Sequence, residues 1–164
     1  MNHKTRRKWI KDIPKIETHV HIEGSVRIET MWEIIQKDNI DVGVDSIRDL
    51  QNICQVIKPM ENLEQVLDIF WLHQKVFNSY EHIKRITFEI VEDAYNDGVK
   101  LLELRFSPSF ICVNKNNLSN DDVILAVLDG IKMGMETYPI ELGLIAIGVR
   151  GRPIVSLYCT AYFL

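Results

Sequence analysis

The stretch Pro14-Lys15-Ile16-Glu17-Thr18-His19-Val20-His21-Ile22-Glu23-Gly24-Ser25 sets two histidines at i and i+2 inside a short apolar run. Side chains alternate between faces on an extended strand. Residues 16–22 therefore present Glu17, His19 and His21 on one face and Ile16, Thr18, Val20 and Ile22 on the other. Two imidazoles standing side by side at a strand end can take adjacent corners of one coordination shell, each reaching zinc at ~2.0–2.1 Å. A strand whose histidines merely share a face shows the same pattern, so the pair by itself leaves both readings open. Gly24 permits a sharp turn, and Ser25 is placed to cap a following helix.

Working outward, Ile28, Met31, Trp32 and Ile35 recur at i, i+3, i+4 and i+7, the spacing of an amphipathic helix. Asp45 or Ser46 is placed to cap a short helix that ends before Pro59. Leu63, Val66, Leu67, Phe70 and Trp71 form a further apolar stripe. Ile83, Ile86, Ile90, Val91 and Ala94 form another, stopped by Asp97-Gly98. Residues 99–106 are an apolar, strand-like run ended by Pro108, and a third strand is expected over about residues 141–149. Between them, Val123, Ile124, Val127, Leu128 and Ile131 mark the last clear amphipathic helix. Strands that alternate with helices imply parallel pairing, because parallel strands need crossover connections. The class is α/β.

Composition sets the bounds. The 164 residues are 46% hydrophobic and 26% charged, with a net charge of −4, which describes a globular chain of ordinary domain size. A net negative chain gives no electrostatic reason to expect nucleic acid as a partner. There is no run of ~18 uncharged apolar residues that would span a membrane. Lys4, Arg6, Arg7, Lys8 and Lys11 precede Pro14 without an apolar core segment, which argues against a secretory signal and for a solvated basic arm. Cys54, Cys112 and Cys159 are odd in number and far apart, so reduced thiols and a cytoplasmic location are the expectation.

The segment Pro-Lys-x-Glu-x-His-x-His-x-Glu-Gly-Ser-x-Arg-x-Glu-Thr resembles the first strand and turn of the adenosine and adenine deaminase family of metal-dependent hydrolases. Two later blocks agree in order and spacing. Glu92-Asp93-Ala94 with residues 96–108 looks like the family's second barrel helix and strand, and Tyr138-Pro139-Ile140-Glu141-Leu142-Gly143-Leu144-Ile145 leading to Val149-Arg150 is similar to its third strand. The resemblance implies a partial (β/α)₈ barrel, about the first three parallel strands with their helices. A complete barrel takes ~250 residues, so this one is expected not to close.

By that resemblance, residues 1–150 are the N-terminal part of a deaminase-like barrel, and residues 151–164 form an atypical apolar tail suited to adding a strand to an open edge or driving association. His19 and His21 match the family's first two zinc ligands. The implied cofactor is Zn²⁺ with an incomplete site, and the implied reaction is attack of a zinc-activated water on carbon 6 of adenosine or adenine, releasing ammonia. His21, Glu23, Leu63, Val66, Leu67, Phe70, Ser107 and Arg150 fall where the family contacts a purine nucleoside or base. Glu23 takes the place of a carboxylate that hydrogen-bonds the ribose in the adenosine enzymes.

The family's proton-donating Glu, in a His-x-Gly-Glu segment, and its later His and Asp-Asp residues have no counterpart, since no histidine follows His82. The chain therefore reads as a truncated purine deaminase, inactive alone, with no catalytic residue of its own. The alternative is a non-catalytic half-barrel module that self-associates or binds a partner through its open sheet edge. Ser119-Asn120-Asp121-Asp122 echoes the late Asp-Asp motif, but its place before an amphipathic helix assigns those carboxylates to a helix start.

Overall fold

The computed structural model describes residues 2–56, 59–113, 115, 117–148 and 162–163. Strands β1 (Lys15–His21), β2 (Val99–Phe106) and β3 (Glu141–Ala146) pair in parallel in that order. A two-residue strand, β4 (Tyr162–Phe163), lies antiparallel to β3, with Gly143 opposite Phe163 and Leu144 opposite Tyr162. The sheet is open. Of the atypical tail, only β4 is among the described residues, and Val149 and Arg150 lie outside them.

Seven helices accompany the strands among the described residues. These are α1 (His3–Asp12), α2 (Ile28–Asp38), α3 (Ile47–Cys54), α4 (Leu63–Gln74), α5 (Tyr80–Asn96), α6 (Pro108–Ile111) and α7 (Asn120–Thr137). Their starts follow local chemistry. The side chains of Asn2, Ser46, Asn62, Ser79, Ser107 and Ser119 each accept a hydrogen bond from a first-turn N–H. Ser119 and Asp122 form a reciprocal capping box, so the acidic pair before α7 belongs to a helix start. Gly98, at φ 86°, turns the chain from α5 into β2, a conformation that favours glycine.

The core lies on one side of the sheet. Leu102, Leu104 and Phe106 of β2 and Leu142 and Leu144 of β3 are buried with Ile83, Ile86 and Val91 of α5 and Val127 and Ile131 of α7. Glycines at 130 and 134 let α5 and α7 approach closely; a Cβ on Gly130 would stand 2.5 Å from the Lys84 carbonyl oxygen. Arg27, just before α2, donates to Asp93 at 2.6 and 2.9 Å and to Glu92 at 2.7 Å, clamping α2 to the end of α5.

The basic arm is helical, as α1, with residues 5–10 exposed. Two local expectations change. Ser25 does not cap α2; its hydroxyl donates to the His21 carbonyl at 2.7 Å and closes the 3₁₀ turn over Ile22–Gly24. Gly24 serves by its size, since a Cβ there would lie 3.1 Å from the tip of the Phe70 ring. The α4 stripe faces away from the core: Leu63 is 71% exposed, and the buried residues of α4 are His73 and Gln74.

Candidate functional site

The β1 alternation projects His19 and His21 to the same side, and their Nε2 atoms stand 3.3 Å apart, with ring centroids at 5.2 Å. Two nitrogens each ~2.0–2.1 Å from one tetrahedral ion stand roughly 3.3–3.4 Å apart, so the spacing fits a shared zinc. Burial, with His19 and Arg105 nearby, holds the His21 imidazole below its ordinary pKa. That favours the neutral ring, which is the form that binds metal. Among the described residues no group of three or more His, Cys, Asp and Glu side chains is placed to hold an ion.

At the end of β1 the chain turns through the 3₁₀ segment and carries Glu23 inward, where it is 2% exposed. Its Oε1 accepts the Ser107 backbone N–H at 2.6 Å, joining the turn after β1 to the end of β2. Burial pushes the carboxyl up to about 7, while the Ser107 N–H and the residue's own N–H act in the opposite direction. Oε2 is buried without a partner among the described residues.

Beside the imidazoles lies a cavity of about 360 Å³ lined by His21, Glu23, Leu63, Val66, Leu67, Phe70, Ser107, Phe110 and Ile147. The apolar stripe of α4 is its wall, which explains the exposure of that stripe: the residues face a cavity open to solvent. Phe70 meets the His21 ring edge-on at 5.8 Å, in the space that the missing Gly24 side chain leaves. The structure thus brings together every position read as purine-contacting except Arg150, which lies outside the described residues. Glu103 and Arg105 lie off the cavity. The Arg105 guanidinium pairs with Glu103 at 3.4 Å and donates to the Thr18 carbonyl at 2.9 Å, stitching β1 to β2.

Phe110 and Ile147 escaped the sequence reading. Phe110 arrives on α6, whose signal was the Ser107-Pro108 pair, a capping residue followed by proline at the first helical position. Ile147 follows β3, where its N–H bonds the Phe106 carbonyl at 2.8 Å. No signal in the local pattern marks it.

The chain is similar to known proteins. An adenosine deaminase of Clostridium botulinum (strain 657 / Type Ba4) is 36% identical over 148 residues, covering 90% of this chain and 44% of the relative. The chain thus spans under half the length of the curated relatives it matches. The crystal structure of Arabidopsis ADAL complexed with GMP superposes with a TM-score of 0.70 at 28% identity, over 91% of this chain and 44% of that one. An amidohydrolase from Burkhoderia ambifaria, solved with bound Zn, shares the fold with a TM-score of 0.72 at 19% identity, over 89% of this chain and 38% of that one. The adenosine deaminase family model matches residues 14–159, running past the position 150 at which the sequence resemblance was read to end. With three parallel strands of an unclosed barrel and a match over most of its length, the chain belongs to the adenosine deaminase family.

Proposed function

We propose that this chain supplies the first part of a zinc-dependent purine deaminase site. The observation that carries the reading is the pair of imidazole nitrogens 3.3 Å apart at the mouth of a cavity whose wall is apolar and whose inner end holds an incompletely bonded carboxyl. His19 and His21 would hold the zinc, which would supply a bound water acidified enough to be hydroxide near neutral pH. Val66, Leu67 and Phe70 cover the flat face of a purine, Leu63 extends that cover outward, and Ser107 walls the inner end. Glu23, fixed through Oε1 by Ser107, keeps Oε2 for the substrate's polar edge or ribose. The substrate class is a purine nucleoside or base, in keeping with the adenosine deaminases among its relatives and the GMP-bound neighbour.

On this reading the 164-residue chain by itself lacks the family's proton-donating Glu, and general acid–base help is worth ~10²–10⁴ in rate. Titration with zinc alone should show one ion bound per chain, with affinity falling about tenfold or more in His19→Ala and His21→Ala. Unchanged zinc affinity in both variants removes the site. The isolated chain should convert no measurable adenosine to inosine; zinc-dependent turnover would show that it carries a complete catalytic set.

A second reading, a half-barrel interaction module, is favoured by one feature. The outer edge of β1 is unpaired among the described residues, and Ile16 on that strand is 69% exposed. The β3 edge is occupied by β4 at Gly143 and Leu144.

A further inference from the structure

The C-terminal end of α4 carries an arrangement that the purine site leaves unused. The Lys115 ammonium donates to the carbonyl of Gln74, the last residue of α4, at 2.9 Å, and to that of Ile111, the last residue of α6, at 2.7 Å. Carbonyls at helix ends lack intrahelical partners, and a cation there is favoured. One side chain therefore ties together the two helices that build the apolar wall, Val66 and Phe70 on α4 and Phe110 on α6. One turn back along α4, Trp71 packs on Phe110 with ring centroids 4.4 Å apart. Lys115 is anchored in turn by its own N–H, which bonds the Cys112 carbonyl at 3.1 Å.

Two further observations show that this contact works against a resistance. Gln74 is buried, and both atoms of its side-chain amide lack a partner among the described residues, which favours any state in which water reaches them. No carboxylate forms an ion pair with Lys115 among the described residues, and burial pushes the ammonium down to about 8, opposed by Cys112. The other Gln74 contact at this end is the Phe77 N–H, which reaches the same carbonyl at 3.3 Å.

We propose that Lys115 is a positioning residue that latches α4 to α6 and so fixes the apolar wall over the cavity. Its meaning for substrate rests on the purine reading; the latch itself does not. The test is amide hydrogen exchange on the whole chain without ligand, comparing Lys115→Met, which keeps the aliphatic stem and loses the donors, with Lys115→Arg, which keeps charge and donors. Lys115→Met should speed exchange across α4 about tenfold while α5 and α7 hold their protection, and Lys115→Arg should stay within about threefold of wild type. Unchanged α4 exchange in Lys115→Met overturns the latch. So does equal acceleration in every helix, equal loosening by Lys115→Arg, or loss of the fold in Lys115→Met, each of which makes Lys115 a general structural residue. Adding excess adenosine to the wild type separates the two ideas. A latch without any adenosine-dependent protection of α4 keeps this inference and removes the purine reading.

Discussion

His73 sits in the last turn of α4 with only 4% of its surface exposed. Burial holds its imidazole below the ordinary 6.5, and the Ile69 carbonyl one turn back offsets this only in part. The folded chain thus keeps the ring neutral. As the pH falls through 6.5, unfolded chains take up a proton that folded ones refuse, so stability declines on the acid side and is retained above it. His82 adds the same sign, lowered first by burial and held back by Asp38. One proton contributes a slope of at most about 1.4 kcal/mol per pH unit. Urea midpoints measured below pH 6.5 should fall less steeply in His73→Gln than in wild type, and identical slopes would mean that His73 titrates as freely folded as unfolded.

Between α5 and α7 the decisive contact is a missing side chain. Replacing Gly130 by alanine gains up to about 1 kcal/mol of helix propensity. The new Cβ would meet the Lys84 carbonyl at 2.5 Å and the Thr87 Cβ at 2.7 Å, and a helical backbone cannot step aside alone. Overpacking of that kind costs about 1–3 kcal/mol, so Gly130→Ala should lower unfolding stability by about 1–2 kcal/mol, and a stabilised variant would show that the helices can separate freely. This packing was invisible in the sequence, where Gly130 is one more residue on a helix. The helices α2, α5 and α7 were legible because each buries one stripe of periodic apolar residues. The α4 stripe, whose place in the family resemblance read as purine contact, lines the cavity, a role that periodicity alone could not name because it reports an apolar face and not what that face meets. At the site, the strand alternation was enough to aim His19 and His21 together. Phe110 depended on a helix of four residues, too short for any period, and Ile147 on a chain path beyond a strand end. The Ser25 contact was misread because a hydroxyl near a helix start has carbonyls as well as N–H groups within reach.

At the scale of the molecule, the open sheet has one side without a covering layer among the described residues. Leu102, Leu104 and Phe106 are buried beneath the helices, while Leu101 on the opposite side is 41% exposed and Ile16 on β1 more so. A closed barrel would enclose that side with its own side chains. An unpaired strand with exposed apolar residues is a template for another chain, so the apparent mass should rise with concentration in light scattering, and Ile16→Lys should suppress the rise. A concentration-independent monomer in both would dismiss the β1 edge as an association surface. No helix among the described residues is long and apolar enough to cross a membrane. The bond from the Ser107 N–H to Glu23 spans 84 positions of sequence. A nascent polypeptide that has left the ribosome only as far as α5 already carries both imidazoles yet has no complete cavity beside them, because the far wall of that cavity has not yet emerged. On the proposed zinc reading, metal capture can thus precede ligand capture during synthesis, and that order is written into the contact between one carboxyl and one distant amide.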